Sequence, residues 1–187
     1  MFFKPFTRYL QGISPMHYKF IKKHSKRTGR LCGVTLTDIT DLPYQVLKHD
    51  VPNLFEQNKL ELAIHLVLKH YQKNITFTKV RKAPNNKKLL FLLWIRDQYE
   101  TINQVEKKYL HNPPNAKQLQ AGVQQLDVLG DINTIDNLSQ GKIWMWEHIR
   151  QMKYSDIFNK MLKTTLENKI NNKLIEINKE QQNNRRR

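Results

Sequence analysis

KKLLFLLWIRDQYETINQVEKKYL, residues 87–110, decides the fold class. Its first half, Leu89-Leu90-Phe91-Leu92-Leu93-Trp94-Ile95, is apolar without interruption. A helix apolar on every side belongs in the interior. The stretch therefore predicts a buried central helix from about Lys87 to Leu110. Ile102, Val105 and Tyr109 continue one stripe beyond the run. Pro84-Asn85-Asn86 announces the helix, and Pro113-Pro114 is the clearest break in the chain.

Working toward the N-terminus, Ile75 to Val80 alternates apolar and polar side chains. One isolated strand would have no partner, so the expectation is a loop or an extended edge. Before it, Leu54, Leu60, Ala63, Ile64, Val67, Leu68 and Tyr71 recur near helical spacing, which predicts a helix beginning near Asn53. Asp41 is suited to cap a shorter helix with Pro43 in its first turn, and Pro52 is expected to stop it. Residues 1–40 read as an arm, because Pro5, Gly12, Pro15, Gly29 and Gly33 interrupt any long helix. Val34-Thr35-Leu36-Thr37 has the composition of a short strand.

Toward the C-terminus, Asn115 is placed to cap a helix through about Val128, ended by Gly130. Ile132 to Ser139 predicts a short helix or turn, and Ile143 to Met152 a compact aromatic helix. Ser155 is then expected to cap a long helix carrying Ile157, Phe158, Met161, Leu162, Leu166, Ile170, Leu174 and Ile177. Gln181–Arg187 is expected to be disordered.

The fold class is all-α: a helical bundle with a basic, largely irregular N-terminal arm and a long C-terminal helix. Its divisions are the arm 1–40, a helical body 41–112, a C-terminal helical module 113–180 and a basic tail 181–187. The chain of 187 residues has a hydrophobic fraction of 39%, which is enough for a folded core. A single Cys excludes a disulfide scaffold, and 6 Gly exclude collagen. No apolar run approaches the ~20 residues of a membrane span, and the start does not read as a signal peptide.

Charge is the strongest signal, with 32 Lys plus Arg against 16 Asp plus Glu, a net +16. Asn, Lys and Ile are abundant, as AT-rich codons produce, so the distribution matters more than the total. Residues 1–37 hold no acid. They carry Lys4, Arg8, Lys19, Lys22, Lys23, Lys26, Arg27 and Arg30, and the chain ends Arg185-Arg186-Arg187. Basic ends of this kind bind polyanions. Phe2, Phe3 and Phe6 lie among the arm's cations. They suit stacking on exposed bases, and they equally suit docking into a neighbouring subunit. A mitochondrial targeting segment is disfavoured by few Arg and by the prolines.

No constellation for catalysis emerges. His65 and His70 are five apart and do not stack on one helical face. Cys32 has no second Cys for a zinc pattern, although cations nearby in the arm would lower its pKa. Phosphate-loop, dinucleotide and nucleophile-elbow motifs are absent. Asp127, Asp131 and Asp136 do not match a calcium loop, and helix capping accounts for the last two. No catalytic residue, metal or cofactor is assigned. Trp144 and Trp146, two apart on a helix, would point about 200° apart. Trp146 fits the inward stripe with Ile149 and Tyr154, which leaves Trp144 as a partner-interface residue.

The stretch LDVLGDINTIDNLSQGKIWMWEHIRQMKYSDIFNKML, Leu126 to Leu162, resembles the C-terminal module of small structural or assembly proteins of tailed bacteriophages. The matching residues are Gly130, Ile132, Ile135, Asp136, Leu138, Gly141, Trp146, Glu147, Tyr154, Ile157, Phe158 and Leu162. An echo, DLPYQVL, lies at Asp41–Leu47. The resemblance implies a non-enzymatic subunit of the head–tail or tail region, located in the virion and in host cytoplasm during assembly. Its implied partners are other virion proteins, further copies of itself and packaged DNA, with no membrane and no small-molecule substrate. The basic arm departs from that pattern. The alternative function is a free nucleic-acid-binding protein, ribosomal or regulatory.

Overall fold

The computed structural model describes residues 29–111, 113–114 and 116–185. The described chain is all-α apart from one small hairpin of strands β1 (Gly29–Leu31) and β2 (Val34–Leu36). The helices are α1 (Val51–Glu56), α2 (Leu60–Tyr71), α3 (Phe77–Lys82), α4 (Asn85–Tyr109), α5 (Ala116–Gln120), α6 (Asp131–Ser139), α7 (Trp146–Gln151) and α8 (Tyr154–Arg185). The fold divides into two compact units. The first holds the residues up to Ile102 together with Arg150–Tyr154, and the second holds Asn103–Ile149 and Ser155 onward.

The predicted central helix is α4, and Phe91, Leu92, Leu93 and Ile95 are almost completely buried. Each such side chain contributes about 1.5–3 kcal/mol by leaving water. Phe91 stacks on Trp94 with ring centroids 5.5 Å apart. Trp94 in turn lies under the hairpin. A Cβ on Gly29 would stand 2.8 Å from the Trp94 ring and collide with the Leu36 carbonyl, so no larger residue fits. The hairpin buries Leu31, Val34 and Leu36, and the chain after it buries Ile39 and Leu42. Residues 29–40 thus belong to the first packed unit rather than to an arm. Their alternating burial supplies an apolar face that the arm reading overlooked.

Pro52 does not end a helix. The chain is helical from Tyr44, and Val46–Asp50 forms a π turn in which the Val51 N–H donates to the Val46 carbonyl. That five-residue step places Pro52 in the first turn of α1, where its missing N–H costs nothing. The break comes instead at Asn58, whose φ of 57° is left-handed, so α2 starts at Leu60 and not near Asn53.

From Phe77 the stretch is helical where a loop or an extended edge was expected, and only Ile75 and Thr76 lie outside the helix. The Thr76 hydroxyl accepts the Lys79 N–H at 3.3 Å and caps α3. Only Ile75 and Val80 are buried in this stretch, and their separation of five places them on one face of neither a helix nor a strand. Ala83 is extended because Pro84 follows it.

Around Gly122, at φ 80°, the helix expected through Val128 splits into α5 and a 3-10 turn, Val123–Leu129. Asn115 lies outside the described residues. Ile143–Met145 is a second 3-10 turn before α7, so Trp144 and Trp146 do not share one regular helix. Ser155 lies inside the first turn of α8. That helix continues through Gln181 to Arg185, where disorder was expected, because no Gly or Pro follows Tyr154 and Glu, Lys and Gln favour helix.

Tyr99 ties α4 to the π turn: its hydroxyl donates to the Leu47 carbonyl at 2.6 Å. Burial, reinforced by Asp50, raises the Tyr99 phenol well above its usual range. An unfolded tyrosine ionises near pH 10, so above that pH unfolding releases a proton that the folded chain retains. The contribution of Tyr99 is therefore complete below about pH 10 and declines as pH rises past it. Urea unfolding followed against pH should show stability falling more steeply above pH 10 in the native sequence than in Tyr99→Phe. The variant should lose about 1 kcal/mol at neutral pH. Equal slopes would show that Tyr99 ionises normally.

Candidate polyanion-binding cleft

One side of α3, the start of α4 and the hairpin turn enclose an open cleft of about 530 Å³ in the first unit. Cys32 and Gly33 form the turn at φ 54° and 87°, the doubly left-handed geometry that two-residue hairpins require. The Cys32 thiol donates to the Lys79 carbonyl at 3.7 Å, joining the turn to α3. Thr76, Thr78, Lys79 and Lys82 form a second wall, and Pro84 and Lys87 close the cleft at the start of α4.

Three lysines, Lys79, Lys82 and Lys87, line this space, and no carboxylate does. All three are exposed, and among the described residues none has an ion-pair partner. Between Glu61 and Asp97 the sequence has no acidic residue, whereas Lys69, Lys73, Lys79, Arg81, Lys82, Lys87, Lys88 and Arg96 fall inside that interval. This acid-free run was the available signal for the cleft. The larger charge at the two ends hid it.

Lys88 points the other way. It is nearly buried, and its ammonium donates to Glu61 at 2.5 Å and to the Arg81 carbonyl at 3.3 Å. With Leu60, Phe77 and Leu92 this pair borders a smaller cavity of about 360 Å³. One lysine of the Lys87-Lys88 pair thus holds α4 to α2 while its neighbour faces the cleft.

Cys32 is not activated. Burial pushes its thiol up, and that outweighs the opposing pull of Lys79 and Lys88. The expectation that nearby cations lower its pKa is corrected by this desolvation, which holds the protonated form. His65 serves the fold, with Nε2 bonded to the Ile75 carbonyl at 3.0 Å and its ring edge-on to Phe77. Among the described residues no three His, Cys, Asp or Glu side chains are grouped to hold a metal ion. No described helix is long and apolar enough to cross a membrane.

Of the sequence-assigned polyanion contacts, Arg30 is exposed on β1, and Arg185 closes α8. Lys4, Arg8, Lys19, Lys22, Lys23, Lys26, Arg27, Arg186 and Arg187 lie outside the described residues, as do Phe2, Phe3 and Phe6. Trp144, the assigned interface residue, is 80% exposed in the second unit, where Val128 and Ile143 are exposed too. Trp146 is half-buried, and its indole Nε1 is buried without a hydrogen-bond partner among the described residues.

No protein-family model, no curated protein and no solved structure matches the chain.

Two substitution pairs check these assignments by urea unfolding. Glu61→Ala strands the Lys88 ammonium and should cost about 1–3 kcal/mol, whereas Lys88→Met keeps the volume and should cost less. Trp144→Ala should leave stability within about 0.5 kcal/mol, whereas Trp146→Ala should cost roughly 3 kcal/mol. Equal losses within either pair would contradict the burial described.

Proposed function

We propose that the chain is a non-enzymatic structural or assembly subunit of a bacteriophage particle, and that its first unit contacts nucleic-acid phosphates in the Lys79–Lys82–Lys87 cleft. The observation that carries the nucleic-acid part is the set of three exposed ammonium groups around one cleft with no carboxylate among them. Lysine heads neutralise phosphates as point charges and release condensed counterions, which drives binding without reading sequence. The cleft is open rather than a closed pocket, and the Cys32 thiol is held protonated by burial. Both features suit a backbone contact better than a small substrate or a nucleophilic reaction.

The particle assignment rests on the resemblance over Leu126–Leu162. It is supported by apolar side chains left outside on the same unit, Val128, Ile143 and Trp144. Exposed aromatic and aliphatic anchors are the usual material of protein interfaces. A free nucleic-acid-binding protein would use the same cleft. Stable assembly beyond a dimer in sedimentation favours the subunit, and its absence favours the free binder.

The test of the cleft is affinity for duplex DNA against salt, with the full chain. Replacing Lys79, Lys82 and Lys87 by Ala should weaken binding to all sequences alike. The log–log salt slope should flatten by about 0.9 for each lysine that neutralises a phosphate. An unchanged slope would move the contact to the basic ends, and no binding in either protein would sink the nucleic-acid reading.

A further inference from the structure

The distal half of α8 presents an apolar face that its own unit does not cover. Leu166, Ile170, Leu174 and Ile177 are each between 39% and 59% exposed. At 3.6 residues per turn they fall within about 80° of arc. Tyr154 and Ile157, the buried residues of the first turn, lie on roughly the opposite side. The distal stripe is therefore not a continuation of the docked face.

We propose that this face pairs with the same face of a second copy of the chain, as an antiparallel two-helix contact across Leu166–Ile177. The charges select both the occupant and the direction. Lys163, Leu166, Ile170, Lys173, Ile177 and Glu180 recur at spacings of three, four, three, four and three, the seam of a coiled coil, with Leu174 on its flank. Read against its own reverse, the seam sets Lys163 opposite the partner's Glu180 and Leu166 opposite the partner's Ile177. Ile170 then meets the partner's Lys173, whose methylene stem covers it while the ammonium reaches water. On one flank Lys169 faces the partner's Glu176. Two-fold symmetry repeats each of these contacts, so one self-complementary surface yields four opposite-charge pairs.

The parallel arrangement reverses this outcome. In register it places Lys163 on the partner's Lys163, Lys173 on the partner's Lys173 and Glu180 on the partner's Glu180. Three like-charge layers, at Lys163, Lys173 and Glu180, then interrupt the three apolar ones. Among the described residues Lys163 pairs with its neighbour Glu167, at 3.6 Å and well exposed, so it can also reach a second chain. The seam spans few turns and each copy carries +16, so the dimer is weak and depends on concentration. The contact does not involve the lysine cleft and stands whether or not the cleft binds nucleic acid.

Sedimentation equilibrium of the full chain tests the pairing and its direction together. The native sequence should dimerise as concentration rises. Lys163→Glu alone, or Glu180→Lys alone, turns two attractions into repulsions and should weaken the dimer by about tenfold. The two together restore complementary charge and should bring the affinity back. Far-UV dichroism should be unchanged in all three, because both positions are exposed. The salt slope for DNA should also be unchanged in the double variant, which separates this proposal from the cleft. A monomer at every concentration would overturn the pairing. So would a dimer indifferent to all three variants, or a double variant as weak as the singles.

Discussion

Two backbone hydrogen bonds organise the first unit. The Tyr44 N–H donates to the Met152 carbonyl at 2.8 Å, and the Tyr154 N–H donates to the Leu42 carbonyl at 2.9 Å. Between them Pro43 and Lys153 form an antiparallel bridge. The exchange is symmetric about that bridge: Leu42-Pro43-Tyr44 faces Met152-Lys153-Tyr154, each Tyr is buried, and each begins a helical run. Pro43 occupies the non-hydrogen-bonded position of the pair, the place in an antiparallel ladder where a missing N–H is harmless. Asp41 pairs with Lys153 at 3.4 Å, and Lys48 stands 5.3 Å from the centre of the Tyr154 ring. A segment more than a hundred residues away in sequence thereby becomes part of the first unit.

The same economy places the charges. In the acid-free run between Glu61 and Asp97, helix geometry sorts the cations by direction rather than by sequence. Lys88 turns inward, where only Glu61 and the Arg81 carbonyl compensate its desolvation. Lys79, Lys82 and Lys87 turn toward the hairpin and keep their water. Pro84 sets the angle between α3 and α4 by forcing Ala83 into an extended conformation, and this brings cations from two helices to one cleft.

Legibility followed the length of each signal. The seven-residue apolar run at Leu89–Ile95 lies in a stretch free of Gly and Pro from Asn85 to Asn112, too long for a strand, so it was readable as a helix without a partner. The eight-residue hairpin of residues 29–36 was not, because its apolar residues Leu31, Val34 and Leu36 look like loop punctuation until Trp94 lies beneath Gly29. Ile75–Val80 failed for a related reason. Alternation and helical periodicity differ little over six residues, and one hydroxyl cap decided between them. The cleft was legible as an acid-free interval, but which of its lysines face outward depends on rotation about α3 and α4.

By itself the sequence determined the all-α class, the central position of α4, the length of the α8 stripe and the excess of positive charge. Each of these depends on local periodicity or on composition. The tertiary structure decided the rest. Pro52 continues a helix because a π turn precedes it, partial burial raises the Cys32 thiol despite the nearby lysines, and Arg150–Tyr154 joins the first unit through backbone bonds to Leu42 and Tyr44. These outcomes turn on contacts between residues distant in the chain. Backbone satisfaction and desolvation are fixed only once those residues meet, so no local pattern encodes them.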